Sequence, residues 1–160
     1  MPSPGSNHVC VASTSATITN GWDCVNESYG FAIHFPSTAR IARTANDVVD
    51  VWLENSPTNP RIYRLIEIFL GEKAEYCLSD NTDEMQIGER DFVVDRGFEP
   101  SGVVYAWRSY AIANDSKSVC FVFVVGFDTW EQDDPLFPPE EDQGLEEVVD
   151  ILATFRWLVP

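Results

Sequence analysis

The run from Val119 to Phe127 constrains this chain more than any other segment. A strand normally shows one apolar face, because successive side chains point to opposite sides. Here both faces are apolar, so the strand has to lie centrally in a sheet with cover on each side. Just before it, Val103 to Ala113 reads as a second long strand, with Tyr105, Trp107 and Ser109 on one face and Arg108 and Tyr110 on the other. The polar stretch 114–118 between them reads as the turn of a hairpin whose second strand runs from Val119 to Trp130.

Shorter elements surround this pair. Tyr29 to Phe35 alternates Phe31, Ile33 and Phe35 with Ala32 and His34 and stops at Pro36, a half-buried strand with His34 on its solvent side. Val48 to Leu53 is another short strand. Arg61 to Leu70 fits a helical face through Ile62, Ile66 and Phe69 and a strand face through Ile66, Ile68 and Leu70; its Ile and aromatic content favours strand. Met85 to Val94 reads as two short strands around a turn at Gly88, and Asp95 to Gly102 as a loop punctuated by Gly97, Pro100 and Gly102. Leu145, Val148, Val149, Leu152 and Phe155 form one stripe of an amphipathic helix expected over Leu145 to Leu158, with Glu146, Glu147 and Asp150 near its start, where the helix dipole favours acids. Residues 1–20, rich in Ser, Thr, Asn, Pro and Gly, read as a flexible arm or the end of a linker, which leaves 21–160 as a single α/β domain.

Charge and cysteine narrow the setting. Twenty-six acids against ten bases give a formal charge of −16, which repels nucleic-acid phosphates and anionic lipid surfaces and first of all keeps the protein soluble. Cys10, Cys24, Cys77 and Cys120 show no C-x-x-C spacing, and His8 and His34 lie far apart, which argues against zinc. Disulfides are the better reading and imply an oxidising, extracytoplasmic compartment; four buried thiols in a cytosolic protein are the alternative. The longest apolar run is too short to span a bilayer. Met1 to Val9 lacks the charged region and apolar core of a signal peptide, so an exported form is expected to carry its leader upstream and lose it. Cys10 follows Val9 rather than a small residue and is not expected to be lipidated.

No catalytic constellation stands out. There is no G-x-S-x-G elbow and no Gly-rich phosphate loop, and with His8 in the arm a nucleophile would have only His34 as its base. A hydrolase using acidic residues would need a pocket holding two carboxylates, one with a raised pKa, or a cavity gathering His34 with converging acids. From Asp128 to Asp150 the chain has ten acids and no base. Asp133, Asp134, Glu140, Glu141 and Asp142 are the calcium candidates there, calcium being the one cofactor the sequence suggests. EF-hand spacing is absent and three prolines stiffen the stretch, so a solvated acidic loop is the plainer reading. Asn26-Glu27-Ser28 and Asn114-Asp115-Ser116 are glycosylation sequons.

Several segments together resemble a known group. Ile87 to Phe92, Val104 to Tyr110, Val119 to Phe123 and the ending Ile151 to Trp157 are similar to an uncharacterised family of exported bacterial lipoproteins, whose Y-G-F strand resembles Tyr29 to Pro36. The similarity covers residues 22–158 patchily, and its motifs are structural. More remotely, the plan resembles the photosystem II extrinsic-protein and Mog1-like domains. That implies an α+β fold: an antiparallel β-sheet flanked by helices, an α/β/α sandwich, with a C-terminal amphipathic helix packed on the sheet. The lipoprotein resemblance also implies a Cys77–Cys120 bridge, leaving Cys10–Cys24; spacing alone leaves three pairings open. The expected function is a non-catalytic binding or accessory module, a monomer engaging an unknown protein or cell-envelope ligand. The competitors are the acid-residue hydrolase and an inhibitor or immunity-type protein docking on a basic partner. Tyr105, Trp107 and Tyr110 lie along one strand, and a face of it left uncovered would mark an interface; otherwise those rings are core.

Overall fold

The computed structural model describes residues 11–13, 21–45, 48–55, 62–75, 77–80, 82–99, 105–115, 117–127 and 145–158. Two antiparallel meanders build its larger sheet. The first is β4 (Arg40–Ala45), β5 (Val48–Trp52) and β6 (Ile62–Leu70); the second is β7 (Asp83–Ile87), β8 (Arg90–Glu99), β9 (Tyr105–Asn114) and β10 (Lys117–Phe127). They join along β6 and β10, giving the order β4-β5-β6-β10-β9-β8-β7. The two-sided apolar strand is thus fourth of seven. Val119, Phe121, Phe123 and Val125 fill one face, and Cys120 and Val124 are buried on the other.

A smaller sheet, β1-β2-β3-β11, covers the first of those faces. β1 (Val11–Ser13) and β2 (Trp22–Asn26) pair, and β3 (Phe31–Phe35) pairs with β2 and with β11 (Arg156–Trp157). Cys24, Phe31, Ile33 and Phe35 join the large sheet's Ile66, Ile68, Phe121 and Phe123 in one hydrophobic core. Helix α2 (Leu145–Leu152) lies beside β3 and adds Val148, Ile151 and Leu152. On the opposite face, α1 (Glu72–Glu75) packs against β6 and β10, and Cys77 just beyond it is disulfide-bonded to Cys120.

This corrects the expected α/β/α sandwich. The layer facing the large sheet is itself a sheet, and two short helices are all the helix among the described residues. The C-terminal stripe misled because its last member, Phe155, is not helical. The helix stops at Leu152: Thr154 N–H and Phe155 N–H donate back to Ile151 and Leu152 carbonyls at 3.0 Å, and Thr154 Oγ1 donates to Ile151 O at 2.6 Å. The chain then straightens into β11, opposite Ala32 and Phe31. Phe155 enters the core from this turn, stacked on Phe31 with centroids 5.7 Å apart and edge-on to Phe121 at 5.8 Å.

Three further expectations change. The arm contributes β1. The hairpin zips to a two-residue connection, because Asn114 pairs with Lys117, and Asp115 takes the left-handed conformation (φ 52°) that such turns require. The loop expected from Asp95 is strand through Glu99, since Gly97 is no breaker here. The ring of Trp107, its cross-strand partner, occupies the space a Gly97 side chain would take.

Candidate functional site

β7 and β8 end out of step. β7 begins at Asp83 opposite Val94, whereas β8 stays paired with β9 as far as Glu99. Past Val94, β8 therefore has no β7 residue beside it, and the step opens a notch of about 720 Å³ at the sheet corner. Ser79, Asp83, Glu84 and Asp95 line it with polar groups, Met85 and Val94 with apolar ones, and Arg96 and Arg108 with charge of the opposite sign.

The arginines arrive there through the register. Across the core face runs the row Val51, Ile66, Phe123, Arg108, Arg96. Its first three members are buried; Arg108 is half-buried at the core margin and Arg96 exposed. Like charges directly opposite on neighbouring strands are unfavourable, and among the described residues no carboxylate forms an ion pair with either arginine. Arg108 meets the Tyr110 hydroxyl, but its Nε is buried without a hydrogen-bond partner. Burial raises the Tyr110 pKa, and the neighbouring Arg108 charge and hydrogen bond only partly offset this.

Asp95 is held differently. Burial pushes its carboxyl up, but hydrogen bonds from the Ser79 side chain and from the Ser79 and Arg96 backbone N–H groups outweigh that, and its pKa lies below the ordinary 3.8. The two backbone bonds are 2.7 and 2.8 Å long. Asp95 and Arg96 are successive strand residues, so the oriented carboxylate and the arginine pair leave β8 on opposite faces of the sheet edge, whereas Asp83, opposite Val94, shares the arginines' face.

A second polar cluster surrounds His34. Its Nδ1 lies 2.7 Å from Asp23 Oδ1; a carboxylate only accepts, so Nδ1 carries the proton in this contact. Arg156 reaches the other Asp23 oxygen at 3.4 Å. His34 N–H donates to Thr154 Oγ1 at 2.8 Å, so the cluster ties β2, β3 and the end of α2 together. A shallow depression of about 410 Å³ gathers His34 with Glu146, Glu147 and Asp150. Glu147 is committed to the buried Arg64 at 2.7 Å and the Thr154 hydroxyl to a backbone carbonyl. The ring of His34 rests against Gly21, where a Cβ would come 2.6 Å from Nε2. His34, expected on the solvent side, is therefore a largely buried strut.

Other expectations fall as follows. The calcium candidates Asp133, Asp134, Glu140, Glu141 and Asp142 lie outside the described residues; among those described, no group of three or more His, Cys, Asp or Glu could hold a metal. Cys10 also lies outside them, and Cys24 is disulfide-bonded. Asp50 and Glu67 are carboxylates opposite one another, but side by side on one sheet face rather than across a cleft. Tyr110 is core and Trp107 half-buried over Gly97; the one large hydrophobic side chain exposed among the described residues is Met85, at the notch. Sequence reasoning missed the notch because Asp95 and Arg96 were read as loop, so no register set Arg96 against Arg108.

No protein-family model matches the chain, and no curated protein does. Among solved structures, a protein from Bacteroides thetaiotaomicron VPI-5482 has a similar fold, with a TM-score of 0.53 and 13% identity over 88% of this chain. The match covers 50% of that protein, so this chain spans about half its length. At that identity the likeness speaks for the fold alone. The buried Cys77–Cys120 bridge is consistent with an extracellular location, and no helix among the described residues is long and apolar enough to cross a membrane.

Proposed function

We propose that this chain is a binding domain working outside the cytosol, secreted or held at a cell surface, and that it engages a charged ligand at the corner notch. One observation carries the reading: Arg96 and Arg108 face each other with no carboxylate partner among the described residues, in a chain that has more than twice as many acids as bases. Arg64, on the same sheet face, has its partner in Glu147. A like-charge pair left uncompensated at the edge of a core is a cost that a ligand's charge relieves. The disulfide and the resemblance to exported lipoproteins support the compartment. Thermal unfolding of the native chain and of Arg96→Gln/Arg108→Gln against a panel of small charged molecules tests it. A ligand is expected to raise the midpoint of the native chain alone; equal shifts in both proteins would refute the site.

A second reading, a hydrolase centred on His34, is favoured by the Asp23 contact, the orientation a carboxylate gives a catalytic histidine. It is weaker, because the Thr154 hydroxyl beside the His34 backbone is spent on backbone groups. Turnover of ester or glycoside substrates that disappears in His34→Gln would revive it.

A further inference from the structure

The charges around the notch select among ligands. A simple anion drawn to Arg96 and Arg108 meets Asp83 on their own face and Glu84 and Asp95 around the sheet edge, within the field of a chain of net charge −16. A simple cation attracted by those three acids meets the two arginines. A molecule carrying both signs a few ångströms apart satisfies both walls. We infer that the notch takes a small zwitterion of the amino-acid type, a free α-amino acid or a short peptide, and this rests on the notch being the binding site.

The two halves of such a ligand have distinct places. Its carboxylate lies between the arginines, whose forked donors match a carboxylate bidentately. Arg108 is anchored against Tyr110 at the core margin, while Arg96 is exposed and closes on the ligand from the solvent side. Its ammonium group lies toward Asp83, which stands opposite Val94 and so shares the arginines' face of the sheet. Met85 and Val94 offer an apolar wall for a side chain, which accounts for an exposed methionine at this place. The volume, about 720 Å³, lies within the roughly 300–1,000 Å³ usual for small-molecule sites and accommodates a dipeptide.

Calorimetric titration at low ionic strength with L-alanyl-L-alanine, L-glutamine, succinate and putrescine decides the matter. Saturable binding of the dipeptide or the amino acid is expected, with succinate and putrescine at least tenfold weaker. Arg96→Gln and Asp83→Asn, both at exposed positions where folding is not at risk, should each weaken the zwitterion at least tenfold, the first through its carboxylate and the second through its ammonium group. Succinate binding as tightly as the zwitterions, and lost in Arg96→Gln, would overturn the inference while leaving the notch an anion site. If none of the four probes binds, the inference fails together with the reading on which it rests.

Discussion

Arg96 stands directly opposite Arg108 across the β8–β9 ladder, and among the described residues no carboxylate neutralises either. The usual rule for a surface arginine in an acidic chain is that its removal costs stability or does nothing. Here the sign should reverse. Arg96→Gln in ligand-free protein is expected to raise the urea midpoint, by about 0.2–1 kcal/mol, the scale of a cross-strand pair. A lowered midpoint would mean that an attraction, not a repulsion, governs the pair.

Phe155 is the hinge between helix and strand at the C-terminal end, and it touches Phe31, Phe92, Phe121 and Trp157 at once. Phe155→Ala opens a cavity where the two sheets meet, at a cost of about 3–5 kcal/mol in equilibrium unfolding. A loss below 1 kcal/mol would contradict its place in the shared core.

Joining residues 43 apart, the Cys77–Cys120 bridge ties the α1 segment to the central strand. Replacing both cysteines with serine should lower stability by about 2–4 kcal/mol, and the native protein in reductant should approach the same value. An unchanged midpoint in either case would remove the bridge from the account.

Two groups set the pH limits of stability near the notch. Asp95 has its pKa lowered on folding, so its contribution is fully present above 3.8 and is lost as pH falls through the lower, folded value. Tyr110 has its pKa raised above 10.0, so its contribution is present below that value and is lost as pH climbs through the folded one. In pH-dependent unfolding, Asp95→Asn should flatten the acid limb and Tyr110→Phe the alkaline limb. Limbs unchanged in the variants would assign the loss to other groups.

The two sequons differ in access. Asn26 is buried, with its Oδ1 accepting Tyr29 N–H at 2.8 Å, while Asn114 is exposed beside the β9–β10 turn. Secreted through a eukaryotic host, the chain should carry glycan at Asn114 and none at Asn26, as read by mass after enzymatic deglycosylation. Modification at Asn26 would mean that β2 is not paired as described.

The strongest strands were legible in the residues themselves. β10 showed its central place through apolarity on both faces, and Ile62 to Leu70, ambiguous between helix and strand, is the strand that its Ile and aromatic content favoured. Trp22–Asn26 and Arg40–Ala45 went unnoticed, because each is short and interrupts its apolar residues with polar ones, and each is held as a strand by its neighbours' hydrogen bonds. The missed second sheet follows from this: without β2, the strand Phe31–Phe35 had no partner, and a helix appeared to be the available cover. The notch was illegible for a related reason. Gly97 looked like a loop residue until Trp107 was set across from it, and only that pairing carries Arg96 to Arg108.

Nitrogen-detected NMR of the arginine side chains is the most direct test of the binding reading, because Arg64 serves as an internal reference already committed to Glu147. On saturation with L-alanyl-L-alanine or with succinate, the guanidinium signals of Arg96 and Arg108 should move while those of Arg64 stay in place. Immobile Arg96 and Arg108 signals, or displacement of Arg64 in their stead, would contradict the assignment of the corner notch as the ligand site.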